Sequence, residues 1–78
     1  MLGIYLTRSP GEATVPQELV GMSQEEALES LNRLELKSEF RQEFNDRIEQ
    51  GKVFRSDPRG GLEVKAGRTV TLFVSLGP

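Results

Sequence analysis

The 78-residue chain has no cysteine and no histidine, and each absence closes off a class of function. Without cysteine there is no disulfide to staple a small core and no thiolate to hold a metal. Without histidine the chain lacks the commonest general base, the commonest metal ligand and the one side chain that ordinarily titrates near neutrality. Triad chemistry is not expected. A cationic surplus is missing too: ten Lys and Arg stand against twelve Asp and Glu, for a formal net charge of −2. Nucleic-acid binding draws on such a surplus to release counterions from phosphates, so no nucleic-acid partner is expected. Long apolar runs are also lacking. Leu2 to Leu6 falls far short of the roughly 20 residues that span a bilayer, and no complete signal peptide is visible.

Seventy-eight residues allow one domain with a modest core, so its stability must come from packing. Charge is unevenly placed along it. Residues 18–49 hold nine acids against four bases, whereas residues 52–68 hold five bases against two acids. A locally basic half can steer an anionic ligand to one end of a domain, and mixed surface charge also serves solubility alone.

Residues 1–14 read as a segment preceding the domain proper, with Thr7-Arg8-Ser9-Pro10-Gly11-Glu12 as a polar, turn-forming linker. Ile4-Tyr5-Leu6-Thr7-Arg8-Ser9-Pro10 echoes Leu72-Phe73-Val74-Ser75-Leu76-Gly77-Pro78 in its order of apolar, hydroxyl, small and proline residues. The end of a preceding repeat, the exit of a membrane helix and chance all fit that echo.

From residue 15 the elements follow in order. Val15-Pro16 predicts a short extended piece, because the residue before proline is pushed out of the helical region. Ser23-Gln24-Glu25-Glu26 predicts a capping box and a helix start. Ala27, Leu28, Leu31 and Leu34 then recur at the helical period as one buried stripe, and the acids of the first turns suit the positive end of the helix dipole. Leu36, Ser38, Phe40, Gln42 and Phe44 alternate with Lys37, Glu39, Arg41 and Glu43, the pattern of a strand with one charged face. Ile48 is expected as a core anchor, and Gly51 permits a bend into a strand starting at Val53. The stretch from Val53 to Ser75, punctuated by Pro58, Gly60, Gly61 and Gly67, reads as strand, turn, short link, turn, strand. Its last strand, Thr69 to Ser75, places Val70, Leu72 and Val74 inward and Phe73 on the opposite face.

This order of elements, with the residues at its joints, resembles the PASTA domain shared by bacterial penicillin-binding proteins and serine/threonine kinases. The resemblance spans residues 15–78 as a single domain. It rests on Val15-Pro16, Leu19-Val20-Gly21-Met22-Ser23, Glu25-Glu26-Ala27-Leu28, Leu36-Lys37, Gly51-Lys52-Val53, Pro58, Gly61, Glu63-Val64-Lys65, Gly67 and Thr69-Val70-Thr71-Leu72. It implies an α+β fold: one helix packed on a three-stranded sheet, with a short extra N-terminal strand. The chain departs from the family pattern at Gln17-Glu18, one residue longer than the usual entry. Glu35 stands where a helix-ending glycine is frequent, and Glu49 replaces a frequent proline. The missing glycine predicts that the easy left-handed cap is lost.

The resemblance further implies a noncatalytic extracytoplasmic module that binds peptidoglycan fragments, within a kinase or penicillin-binding protein anchored in the membrane and beside neighbouring repeats. No cofactor or metal is expected. Stem peptides carry carboxylates, which makes Arg55, Arg59 and Arg68 candidate charge-assisted contacts and Phe73 a candidate apolar platform. The alternative is a structural spacer or protein-interaction domain without a ligand, in which the arginines only guard strand edges. An enzyme built on Glu25 and Glu29 is the weakest reading, since a wet helix surface cannot separate two carboxyl pKa values.

Overall fold

The capping box starts the helix where the sequence places it. In the computed structural model, which describes residues 11–78, the Ser23 hydroxyl accepts from the Glu26 amide at 3.2 Å and the Glu26 carboxylate accepts from the Ser23 amide at 3.0 Å. Two otherwise unpaired donors are thereby satisfied reciprocally. Before the helix come β1 (Glu12–Thr14) and a single 3-10 turn, Gln17–Leu19. The extended segment therefore forms earlier than Val15-Pro16, and Gln17 and Glu18 lie in the 3-10 turn. The reading of Leu2 to Leu6 and its echo lies outside the described residues.

Helix α1 (Gln24–Arg33) ends in a left-handed cap despite lacking glycine. Glu35 takes φ +60°. The Leu36 amide reaches the Leu31 carbonyl at 2.9 Å and the Glu35 amide reaches Asn32 at 3.0 Å, the paired bonds of a Schellman motif. Leu31 and Leu36, the two apolar residues that flank this motif, are both buried. The hydrogen bonds and that burial outweigh the steric penalty on a non-glycine residue, so the expected loss of the left-handed cap does not occur.

Four further strands follow: β2 (Lys37–Glu43), β3 (Val53–Asp57), β4 (Glu63–Lys65) and β5 (Thr69–Ser75). β5 lies in the middle of a three-stranded sheet, parallel to β2 and antiparallel to β3. The short link between the turns is itself a strand, β4, which pairs antiparallel with β1 as a separate ribbon. Leu36, Val53, Val70, Leu72 and Val74 meet Ala27 and Leu31 of the helix, with Ala13, Val15 and Leu19 closing the same core.

Three apolar residues do not sit as the patterning predicts. Leu28 is 39% exposed, because Ala27 and Leu31 supply the contact with the sheet and leave it on the flank. Phe44 is 78% exposed just beyond the end of β2. Ile48 is half-buried outside the main cluster, and its carbonyl accepts the Ser75 hydroxyl at 2.7 Å.

Candidate functional site

Alternation on β5 sends Leu72 into the core and Phe73 to the opposite face. On β3 an irregularity between Val53 and Arg55 shifts the register, so Arg55 rather than Phe54 stands opposite Phe73. Such a bulge re-aims a side chain. Here it brings the Arg55 guanidinium over the Phe73 ring, 4.0 Å from its centroid, a cation–π stack. The Phe54 ring flanks Phe73 at 6.5 Å, tilted by 57°. Arg55 also lies 3.8 Å from the Glu43 carboxylate, an exposed contact of small energetic weight.

The other two arginines arrive on loops tied at both ends. Arg59 follows Pro58, whose carbonyl accepts the Ser56 hydroxyl at 3.0 Å. The adjoining Gly60 packs so tightly that a Cβ there would fall 2.6 Å from the Gln17 Cα, which seats the Arg59 loop against the 3-10 turn. The Arg68 amide donates to Lys65 at 3.1 Å, and its carbonyl accepts from Lys37 at 3.0 Å. The left-handed turn before it is taken by Gly67 at φ +86°, a conformation that costs glycine little.

All four residues singled out from the sequence, Arg55, Arg59, Arg68 and Phe73, line one open concavity of about 610 Å³. Sequence reasoning missed its remaining walls: Leu62 and Val64 add apolar area, while Asp57 and Glu63 add two carboxylates. Arg41, which the parallel β2–β5 register places beside Phe73 on the side away from Arg55, does not line the concavity. Glu63 and Val64 could not be found without knowing that β4 is a strand. Chemically, the groove offers guanidinium donors for a carboxylate or similar anion around an aromatic surface, with two acids able to accept from an amine or hydroxyl. Among the described residues, no group of three or more acidic side chains is placed to hold a metal.

The acids of the helix belong elsewhere. Glu26 serves the capping box, and its carboxyl is held below the ordinary value of 4.5, chiefly by the hydrogen bond from the Ser23 backbone. Glu29 pairs loosely with Arg33 at 3.7 Å. Glu25 lies with them along a solvent-exposed helix surface.

A helix packed on a mixed three-stranded sheet, with an open groove on the sheet's far side, defines a small α+β surface-presenting module. Within that class the chain belongs to the PASTA domain family, whose profile matches residues 14–76. It is 37% identical over 71 residues to the probable serine/threonine-protein kinase PknB of Bifidobacterium longum, covering 88% of this chain and 10% of that protein. It is 34% identical over 70 residues to the serine/threonine-protein kinase PrkC of Bacillus subtilis, covering 87% and 11%. The chain thus spans about a tenth of the length of the curated relatives it matches. Among solved structures it superposes on the extracellular region of the Ser/Thr kinase PrkC from Staphylococcus aureus with a TM-score of 0.75 and 29% identity, covering 85% of this chain and 23% of that one. The α+β architecture read from the sequence is the architecture of that neighbour.

Proposed function

We propose that this domain is a noncatalytic extracytoplasmic module of a bacterial serine/threonine kinase, and that it binds peptidoglycan fragments in the groove between β3, β4 and β5. One observation carries the reading: three arginines and an aromatic ring, drawn from three separate stretches, line the same concavity. The kinase relatives support the parent assignment over a penicillin-binding protein. Arg59 and Arg68, both exposed, supply charge-assisted contacts to a stem-peptide carboxylate, and Phe73 offers its face to apolar parts of the fragment. Open walls and two competing acids make the affinity of a single domain weak, so tandem copies would gain by avidity.

Titration with purified muropeptide, followed by backbone amide shifts, tests this. Shifts clustered at Arg55, Arg59, Arg68 and Phe73, and lost in an Arg59→Ala/Arg68→Ala double variant that keeps the fold, are the expected result. An unchanged spectrum at about 1 mM ligand discards binding by this domain. The second reading, a ligand-free spacer, draws on Arg55 already being engaged by Phe73 and Glu43. That unchanged spectrum is the outcome it requires.

A further inference from the structure

The three-stranded sheet is ordered β2-β5-β3, so β2 has a free side among the described residues. Which of its backbone groups face that side follows from the ladder. The Lys37 amide donates to Arg68 and the Glu43 carbonyl accepts from Leu76, both toward β5. The odd-numbered residues of β2 are therefore committed to β5, and by alternation the N–H and C=O of Ser38, Phe40 and Gln42 point outward. An edge of this kind is a template for another strand.

We propose that β2 is a homotypic docking edge, on which a second copy of this chain adds its own β2 antiparallel about a two-fold axis through Phe40. The strand reads Lys-Ser-Glu-Phe-Arg-Gln-Glu from Lys37 to Glu43, and it is its own complement in that register. Lys37 falls opposite Glu43 of the second copy, Glu39 opposite Arg41, Ser38 opposite Gln42, and Phe40 opposite itself. The outward backbone groups make Phe40–Phe40 and the two Ser38–Gln42 positions the hydrogen-bonded pairs. All four charge pairs then occupy the non-hydrogen-bonded positions, where side chains approach more closely. Phe40, half-buried at the rim of the core, brings its remaining apolar area to the axis.

Neighbouring registers are excluded by the same charges. A slip of two residues in one direction sets Glu39 against Glu39 and Lys37 against Arg41. In the other direction it sets Arg41 against Arg41 and Glu39 against Glu43. A slip of one residue turns the charged face onto the core side. Parallel in-register pairing stacks each charge on its own kind. The present contact of Arg41 with Glu39, 3.8 Å on the exposed strand, is a loose one that such an exchange replaces. A seven-residue strand pair is small, in the class of weak and transient interfaces below about 1,200 Å².

A dilution series on the intact protein, read by sedimentation and amide shifts up to about 1 mM, tests the proposal at more than one point. The expected result is a weak dimer whose concentration-dependent shifts centre on Ser38, Phe40 and Gln42. Arg41→Glu or Glu39→Arg alone sets like charges opposite each other twice by symmetry and should weaken association at least about tenfold. The combined Glu39→Arg/Arg41→Glu swap restores the pairs and should restore the dimer. Gln42→Pro removes an outward amide at an edge position that tolerates proline and should abolish association in a folded monomer. A protein that stays monomeric at the highest concentration overturns the proposal. So does a dimer whose shifts map to another face, a folded swap variant that fails to recover, or association that survives Gln42→Pro.

Discussion

Along β5, Val70, Leu72 and Val74 are buried against helix and sheet, whereas Thr71 and Phe73, alternating with them, face the side shared with Arg41 and Arg55. The core-facing set is apolar throughout and belongs to the one buried apolar cluster. The far-side set is open, carries the arginines, and is tied by contacts of long reach and low energy, Arg55 to the Phe73 ring and to Glu43. A period of two thus lets seven residues serve as the centre of the fold and as the floor of the groove, with separate side chains for each. Stability and recognition should then respond to different substitutions on one strand.

The strongest way to break that division is to truncate adjacent residues. Leu72→Ala empties the centre of a small core and should cost about 2–5 kcal/mol, enough to unfold much of a domain this size at room temperature. Phe73→Ala, one residue on, should cost under about 2 kcal/mol, because the half-buried ring loses a stack rather than a packed cavity. Urea unfolding of both variants decides it. Equal losses would show that the groove floor is part of the core and that the two faces are not independent.

How much of this was legible in the sequence depended on whether the causes were local. The capping box is a four-residue motif, and the alternation of β5 lies within seven residues; both formed as read. The candidate arginines and Phe73 lie within residues 55–73, so their meeting in one groove needed only the turns at Pro58–Gly61 and Gly67 to close. The parallel pairing of β2 with β5 joins residues more than thirty positions apart, and it hid the placement of Arg41 beside Phe73. The β1–β4 ribbon joins residues still further apart in sequence. Leu28 has the right helical period, but Ala27 and Leu31 already fill the contact with the sheet. Glu35 shows the reverse case, a residue whose own preference opposes a conformation that its neighbours impose.

The two ends of the helix sharpen the division further, since neither lines the groove, and only the Glu35 carbonyl comes near it, accepting from the Gly67 amide beside Arg68 at 3.0 Å. Ser23→Ala deletes the N-cap acceptor and should cost about 1 kcal/mol. Glu35→Gly relieves the left-handed position at φ +60° and should add about 0.5–1 kcal/mol. Thermal or urea unfolding measures both shifts, and groove titrations run on the same samples should be unaffected. A change in ligand response with either variant would mean that helix and groove are coupled through the sheet.

The smallest expected effect is one of pH, and its sign follows from Glu26. The carboxylate form is favoured in the folded chain, first by the Ser23 backbone hydrogen bond, which outweighs an opposing desolvation, then by the Ser23 hydroxyl and the charge of Lys52, so its folded pKa lies below the ordinary 4.5. Below that ordinary value the unfolded chain takes up the proton first. The contribution is thus complete above about 4.5, declines as pH falls toward the folded pKa, and is gone beneath it. Glu26→Gln retains a side-chain acceptor for the Ser23 amide but cannot titrate. The stability difference between the native protein and Glu26→Gln should accordingly be constant from neutral pH to about 5 and shrink only on further acidification. A difference that instead grew in acid would mean that the carboxylate is worse placed in the folded state than in water, and that the box is held by Ser23 alone.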